Sequence, residues 1–150
     1  MTRAEFTALR ERFGFACGYC GASETGVGAH LSVDHFQPTS RQGQDDESNW
    51  VYCCPACNSF KSAFWGEGEN RLLCPLQDDF SQHIEEREGV LVALTPRGQN
   101  HIEVLHLNRE PLIAQRLERA ANEALRARLR QTEEQLKRAL KRIENARRNG

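Results

Sequence analysis

The stretch that decides the fold runs from residue 31 to residue 62 and reads LSVDHFQPTSRQGQDDESNWVYCCPACNSFKS. Its first five residues can form a strand, on which neighbouring side chains face opposite ways. The adjacent pair Asp34 and His35 therefore needs a local bend if both side chains are to reach one ligand. A second apolar run follows Asn49, and a cysteine pair lies near the end. We take this segment as the chemical centre of the chain.

The chain has two cysteine pairs with CxxC spacing. Cys17-Gly-Tyr-Cys20 lies before this segment, and Cys54-Pro-Ala-Cys57 lies near its C-terminal end. The two thiolates of each pair can bind one side of a tetrahedral ion, and two such pairs complete its coordination. Four thiolates favour zinc, an iron–sulfur cluster is the alternative with the same ligands, and unliganded core cysteines are the structural alternative. Because four thiolates leave no open position, we predict a structural zinc ion.

The other positions of the segment follow a fixed order: Asp34-His35, Pro38, Arg41, Gly43, Asn49 and a CPACN run that ends in Asn58. In this order, with two zinc knuckles, the segment resembles the HNH endonuclease domain, the ββα-metal motif of homing endonucleases, colicin-type toxins and CRISPR nucleases. Residues 78–116 also resemble the C-terminal part of one HNH subgroup, so the resemblance covers residues 10–117. It implies an α+β fold, in which a zinc-stabilised ββα-metal core is joined to a β-hairpin and a long C-terminal α-helix.

The resemblance also implies roles for four residues. His35 is the expected general base, and a neutral imidazole suits that role near pH 7. Asp34 and Asn58 are the expected ligands of a catalytic cation, although the third letter of HNH is a histidine and this chain has Asn58 there. A carboxylate beside an amide oxygen favours Mg²⁺ or Mn²⁺. Asn49 is expected to pin the loop between the strands through side-chain hydrogen bonds.

Two basic residues are candidates for nucleic-acid binding. Lys61 follows Asn58 by three positions, so the two residues would share one face of a helix. Arg41 lies in the loop between the strands. Each of these side chains could contact a phosphate, or could be a solvated surface charge.

Several residues of similar chemistry are expected outside these sites. Cys53 and Cys74 are expected to be small buried residues. His83 matches a histidine of the HNH subgroup, and we expect it to have a packing or hydrogen-bonding role. Surface or strand positions are expected for the remaining histidines, namely His30, His101 and His106.

Three further elements are predicted outside the central segment. A first helix begins at a capping box formed by Thr2 and Glu5. The stretch 89–107 predicts a hairpin, with strands in GVLVALT and HIEVLHL joined by a PRGQ turn. One long helix then extends from about Pro111 to Arg148.

The long helix carries a heptad pattern. Leucine or isoleucine occurs every seven residues, and smaller residues fill most of the complementary positions: Leu129, Leu136 and Ile143, with Leu125, Thr132, Ala139 and Ala146. Such a seam favours either packing on the chain's own domain or a coiled coil with a partner or a second copy. We therefore divide the chain into an HNH nuclease domain with the four-cysteine zinc site, residues 1–108, and a basic C-terminal helix, residues 109–150, as a candidate docking segment.

The charge is divided in the same way. Residues 1–108 hold 8 basic and 15 acidic residues, a net charge of −7, whereas residues 109–150 hold 12 and 6, a net charge of +6. A basic segment of this kind can bind nucleic acid or fold back on an acidic body. The charged N-terminus does not resemble a signal peptide, and the longest apolar run is too short for a bilayer. We therefore expect a soluble cytoplasmic protein without a membrane partner, in which six cysteines indicate metal binding.

The resemblance to HNH endonucleases implies an enzyme, a metal-dependent endonuclease that hydrolyses nucleic-acid phosphodiester bonds, with DNA as the expected substrate. Structural Zn²⁺ and catalytic Mg²⁺ or Mn²⁺ are the expected cofactors. Because duplex DNA repels an acidic body, the chain could serve as the nuclease subunit of a larger antiviral defence or restriction system. The alternative is a zinc-ribbon-like module that binds nucleic acid without cutting it.

Overall fold

The structure is a computed structural model that describes residues 1–148. It contains five helices and two small antiparallel sheets, which confirms the predicted α+β class. In chain order the elements are α1 (Arg3–Arg12), α2 (Glu24–Val27), β1 (Ser32–His35), β2 (Trp50–Cys53), α3 (Pro55–Lys61), β3 (Ile84–Arg87), β4 (Val90–Ala93), α4 (Pro96–Val104) and α5 (Glu110–Arg148). Three short 3₁₀ turns, Thr39–Arg41, Gly68–Asn70 and Phe80–Gln82, lie in the connections.

The first helix begins where the sequence predicts it. The Thr2 hydroxyl accepts a hydrogen bond from the Glu5 amide, and the Glu5 carboxylate accepts one from the Thr2 amide. This reciprocal capping box satisfies two amide groups that the first helical turn would otherwise leave without partners. Leu9 is buried, and α1 packs against β2.

The central segment folds as two strands followed by a helix. Strand β1 pairs with β2 in an antiparallel register that sets Asp34 opposite Val51 and His35 opposite Trp50. All four residues of β2 are buried. Helix α3 begins directly after β2, with Pro55 in its first turn and the Cys54 sulfur accepting a hydrogen bond from an amide of that turn. The ββα order puts the second cysteine pair at the helix N-terminus.

The second sheet is a hairpin, but its strands are not those that the sequence predicts. Strand β3 (Ile84–Arg87) pairs with β4 (Val90–Ala93). The first predicted strand therefore exists as β4, but its partner is the preceding strand β3 and not the following segment. The second predicted strand is wrong, because Pro96–Val104 forms helix α4. The Thr95 hydroxyl caps this helix by accepting from the Gly98 amide at 3.1 Å, and Pro96 occupies the first helical position. A threonine cap followed by proline is a helix-start signal that outweighs the apolar alternation.

Helix α4 also corrects the placement of one histidine. His101 was expected at the surface or in a strand, but its side chain is 0% exposed. Its Nδ1 accepts a hydrogen bond from the Leu73 amide at 3.2 Å, and Phe80 packs edge-on against the ring. Burial lowers the pKa of His101 to about 4, so this imidazole is neutral at physiological pH and has a structural role.

The chain divides into two compact units, Met1–Gln115 and the residues from Arg116 onward. The first unit extends seven residues beyond the predicted boundary at residue 108 and includes the buried Leu112 of the first turn of α5. In the second unit, α5 has large apolar side chains that are more than half exposed: Leu125, Leu129, Leu136, Leu140 and Ile143. Among residues 1–148, no helix combines the length and apolar character needed to cross a membrane.

Candidate active site and metal centre

Four cysteine sulfurs converge between the start of α3 and the loop after α1. The Sγ atoms of this sulfur cluster all lie within 4.8 Å of one another: Cys17, Cys20, Cys54 and Cys57. The spacing across the cluster suits four ligands around one ion, and thiolates are the ligands that zinc prefers in closed structural sites. The residues therefore fit the predicted zinc ion, with one CxxC pair from each side.

The electrostatics of the cluster favour thiolate at Cys17 and oppose it at Cys20 and Cys57, whose pKa values are raised by hydrogen bonds with Cys17. Hydrogen bonds from the neighbouring thiols, with Cys20 the largest contribution, hold the pKa of Cys17 far below its ordinary value. The Arg109 guanidinium also lies 3.9 Å from the Cys57 sulfur. Metal binding requires deprotonated cysteines, so a bound ion would supply the positive charge that lets all four thiols ionise together. Cys53 and Cys74 are buried outside the cluster, as expected.

Asp34 lies on the face of β1 that α3 covers. Its side chain is 8% exposed, and its Oδ2 accepts a 2.6 Å hydrogen bond from the Tyr19 hydroxyl. Burial and the charge of Asp34 raise the pKa of Tyr19 well above its usual value, so the phenol keeps its proton and donates it. Lys61 brings its ammonium group to 3.1 Å from Oδ1 and 3.0 Å from Oδ2.

Lys61 is buried, in contrast to both interpretations of this residue from the sequence. Both interpretations, a phosphate contact and a solvated surface charge, assumed an exposed ammonium group, but the Lys61 side chain is 1% exposed. Besides Asp34, its Nζ contacts the backbone carbonyl of His35 at 2.8 Å. The helical spacing that puts Lys61 on the Asn58 face of α3 therefore directs it inward, where it neutralises a buried carboxylate.

The buried ion pair leads to a stability prediction. Lys61→Met should lower the free energy of unfolding by about 3–5 kcal/mol, because it leaves the Asp34 carboxylate buried without a counter-charge. Denaturant melts measure the loss, with Lys137→Met on the exposed C-terminal helix as the control. Adding Asp34→Asn to Lys61→Met should recover part of the lost stability. A melt of Lys61→Met that superimposes on wild type would contradict this assignment.

His35, the last residue of β1, contacts a different partner. Its Nε2 lies 2.8 Å from Oδ1 of Asp45, and its side chain is 31% exposed. The Trp50 indole N–H donates to the same oxygen at 2.9 Å. Hydrogen bonds from His35 and then Trp50 hold the pKa of Asp45 below its ordinary value. The His35 and Asp34 side chains thus have separate partners, in keeping with the alternation of a paired strand.

Asn49 joins both ends of the loop between β1 and β2. Its Oδ1 accepts from the Gln37 amide at 2.8 Å, while its Nδ2 donates to the carbonyls of Gln37 at 2.9 Å and Gln44 at 2.8 Å. Gly43 lies so close that an added Cβ would be 1.9 Å from the Gln37 carbonyl oxygen. These contacts agree with the loop-pinning role expected of Asn49.

Asn58 faces β1 from α3. Its Nδ2 donates to the Ser32 hydroxyl at 3.4 Å, and Ser32 precedes Asp34 by two residues on the same strand face. The Asn58 carbonyl oxygen therefore belongs to the same interface as the Asp34 carboxylate. A carboxylate offers about four acceptor positions, and the contacts above use two on Oδ2 and one on Oδ1. These oxygens are the ligand types of a hard divalent cation, which would share the Asp34 carboxylate with the Lys61 ammonium.

The remaining predicted residues have simpler surroundings. Arg41 lies at the end of an exposed 3₁₀ turn in the loop. The Nδ1 of His83 pairs with the Thr95 hydroxyl at 2.7 Å, a hydrogen-bonding role of the kind expected. Sequence reasoning missed Tyr19 and Asp45. Tyr19 lies inside the first CxxC pair, and Asp45 is one of three consecutive acidic residues, so neither position carries a signal that separates it from its neighbours.

Comparison with known proteins adds one finding. Residues 17–64 match the family model described as HNH endonuclease. No curated protein and no solved structure matches the chain. The matched region begins at the first ligand of the sulfur cluster and continues through β1, β2 and α3. It therefore coincides with the ββα unit and all four cysteines of the cluster.

Proposed function

We propose that this chain is an endonuclease that hydrolyses phosphodiester bonds, with DNA as its substrate, because residues 17–64 match the family model of HNH endonucleases. The observation that carries the proposal is the family match over the ββα unit. The domain supports a nuclease-type function in general. The sulfur cluster adds a structural reason for zinc, since it lies at the start of the helix that carries Asn58.

In the proposed reaction, His35 accepts a proton from the attacking water. Asp34 and Asn58 would hold a divalent cation, which when bound supplies positive charge for the phosphate oxygens and lowers the pKa of its bound water. The Oδ1 of Asp34 and the Asn58 carbonyl supply oxygen ligands, the type that Mg²⁺ and Mn²⁺ prefer. Arg41, exposed in the loop, is available to contact a backbone phosphate. Asn49 keeps the loop fixed relative to β1.

Binding of nucleic acid has to overcome the charge of the body. Residues 1–108 carry a net charge of −7, and an acidic surface repels the phosphate backbone. We propose that affinity comes from the basic C-terminal segment or from a partner docked on it, as in the nuclease subunit of a defence or restriction system. The exposed apolar positions of α5 suit a helical partner or a second copy, and light scattering of the purified chain distinguishes the two.

One observation favours the alternative, a zinc-ribbon-like module that binds nucleic acid without cutting it. Asp34 is buried and already neutralised by Lys61, while the His35 imidazole contacts Asp45 and not the Asp34 side chain. A purely structural role for the Asp34–Lys61 pair would produce the same contacts. Activity therefore decides between the two functions.

The deciding experiment offers the purified chain plasmid DNA, single-stranded DNA and RNA, each with and without Mg²⁺ or Mn²⁺ after dialysis against a mild chelator that leaves the zinc bound. We expect plasmid cleavage that depends on the added cation. Cleavage of RNA alone would overturn the DNA assignment. Binding without cleavage under every condition would establish the non-catalytic alternative, and undiminished cleavage without added cation would refute the separate catalytic metal.

A further inference from the structure

The contact between His35 and Asp45 brings together a predicted catalytic imidazole and an acid from the loop after β1. Their Nε2 and Oδ1 atoms are 2.8 Å apart. Asp45 is held from a second side, because the Trp50 indole donates to the same oxygen at 2.9 Å. Trp50 pairs with His35 across the β1–β2 ladder and is itself buried, so the indole is a fixed donor.

The loop that carries Asp45 is also anchored at the preceding residue. The Asn49 side chain donates to the Gln44 carbonyl at 2.8 Å and contacts both backbone groups of Gln37, two residues after His35. The strand end and the loop segment next to Asp45 are thus tied to one asparagine. Although the Asp45 side chain is 67% exposed, its position relative to His35 is set by these backbone contacts and by Trp50.

The chemistry of the contact fixes the imidazole tautomer. A carboxylate can only accept hydrogen bonds, so the nitrogen that faces it must carry the proton. We propose that Asp45 is a positioning residue that holds His35 in its Nε2–H form and leaves Nδ1 as the basic nitrogen. The cleavage role of this tautomer rests on the proposed nuclease function, whereas the tautomer itself does not.

Within that function, the arrangement accounts for the whole proton transfer. The O–H bond of the attacking water breaks as its proton moves to Nδ1, and the oxygen's electron pair forms the new bond to phosphorus. The bond from phosphorus to the sugar oxygen on the opposite side breaks, and that oxygen leaves with the electron pair and takes a proton from solvent. The imidazole then carries a positive charge beside the Asp45 carboxylate. Asp45 therefore orients the neutral base and stabilises the cation that the base becomes, as the buried acid does in a Ser-His-Asp triad.

The test combines ¹⁵N NMR of the histidine side chains with the cleavage rate. The His35 signals are assigned by their absence in His35→Ala, and the spectra are recorded at a mildly alkaline pH. Wild type should show the Nε2–H tautomer. Asp45→Ala should give a mixture of tautomers and a cleavage rate lower by about tenfold to a hundredfold, which is part of what a general base contributes.

Two variants separate the hydrogen bond from other effects. Asp45→Asn keeps an oxygen acceptor, so it should keep the tautomer and lose less activity than Asp45→Ala. Glu47→Gln removes one negative charge from the same loop and should leave both readouts unchanged. The proposal is overturned if Asp45→Ala retains the wild-type tautomer, whether its rate falls or not. If wild type cuts no substrate, the nuclease proposal fails, and the tautomer comparison still decides the role of Asp45.

Discussion

Cys57→Ser is expected to remove the bound zinc and to abolish cleavage together. The Cys57 sulfur belongs to the four-sulfur cluster, and the next residue is the proposed cation ligand Asn58. Structural zinc contributes about 10–16 kcal/mol of apparent binding free energy in small domains, comparable to the whole stability of a domain of this size. Losing the ion should displace the start of α3, and an error of about 1 Å in a catalytic group can cost roughly 100-fold in rate.

Elemental analysis and the cleavage rate are measured side by side for wild type and for each cysteine variant. Wild type should hold about one zinc per chain, the stoichiometry of a single four-thiolate site. Cys74→Ser is the matched control, because Cys74 is equally buried but lies outside the cluster, and it should retain zinc and most of the activity. Full activity in Cys57→Ser without zinc would show that the ion does not organise the site. Iron in place of zinc would overturn the zinc assignment.

His35→Ala is expected to lower the cleavage rate by about 10²–10⁴, the usual contribution of a general base. The fold and zinc content should be unchanged, because the imidazole is part-exposed at the end of β1 and its contact is with a loop carboxylate. Circular dichroism and elemental analysis check those two points. His30→Ala, at an exposed position before β1, should cleave like wild type. A wild-type rate in His35→Ala would remove this residue from the mechanism.

The sulfur cluster and the ββα unit could be predicted because their signals are local. CxxC spacing constrains two ligands within one turn of chain, and two such pairs leave few arrangements other than a tetrahedral site. The capping box of α1 is local in the same sense, since its two reciprocal hydrogen bonds join residues only three positions apart, Thr2 and Glu5. The heptad pattern likewise predicted one long helix, and α5 spans Glu110–Arg148.

The predictions from sequence are wrong where a local pattern fits two structures, or where a contact depends on residues that are distant in the chain. The apolar alternation after residue 100 fits a strand, but burial of His101, Ile102 and Leu105 follows the period of a helix. Lys61 seemed exposed because lysine usually is, and only the packing of α3 on β1 reveals its buried partner Asp34. The Asp45 contact depends on a loop conformation that Asn49 imposes.

We propose that two chemically distinct metal sites lie within residues 17–64, and anomalous diffraction from crystals soaked with Mn²⁺ can locate both of them. Data at the zinc and manganese absorption edges locate each ion independently. We expect zinc among Cys17, Cys20, Cys54 and Cys57, and manganese beside Asp34 and Asn58, with none at that position in Asp34→Asn crystals. Manganese bound only elsewhere, or an unbroken Asp34–Lys61 pair with no ion beside it at saturating Mn²⁺, would contradict the proposed catalytic metal site.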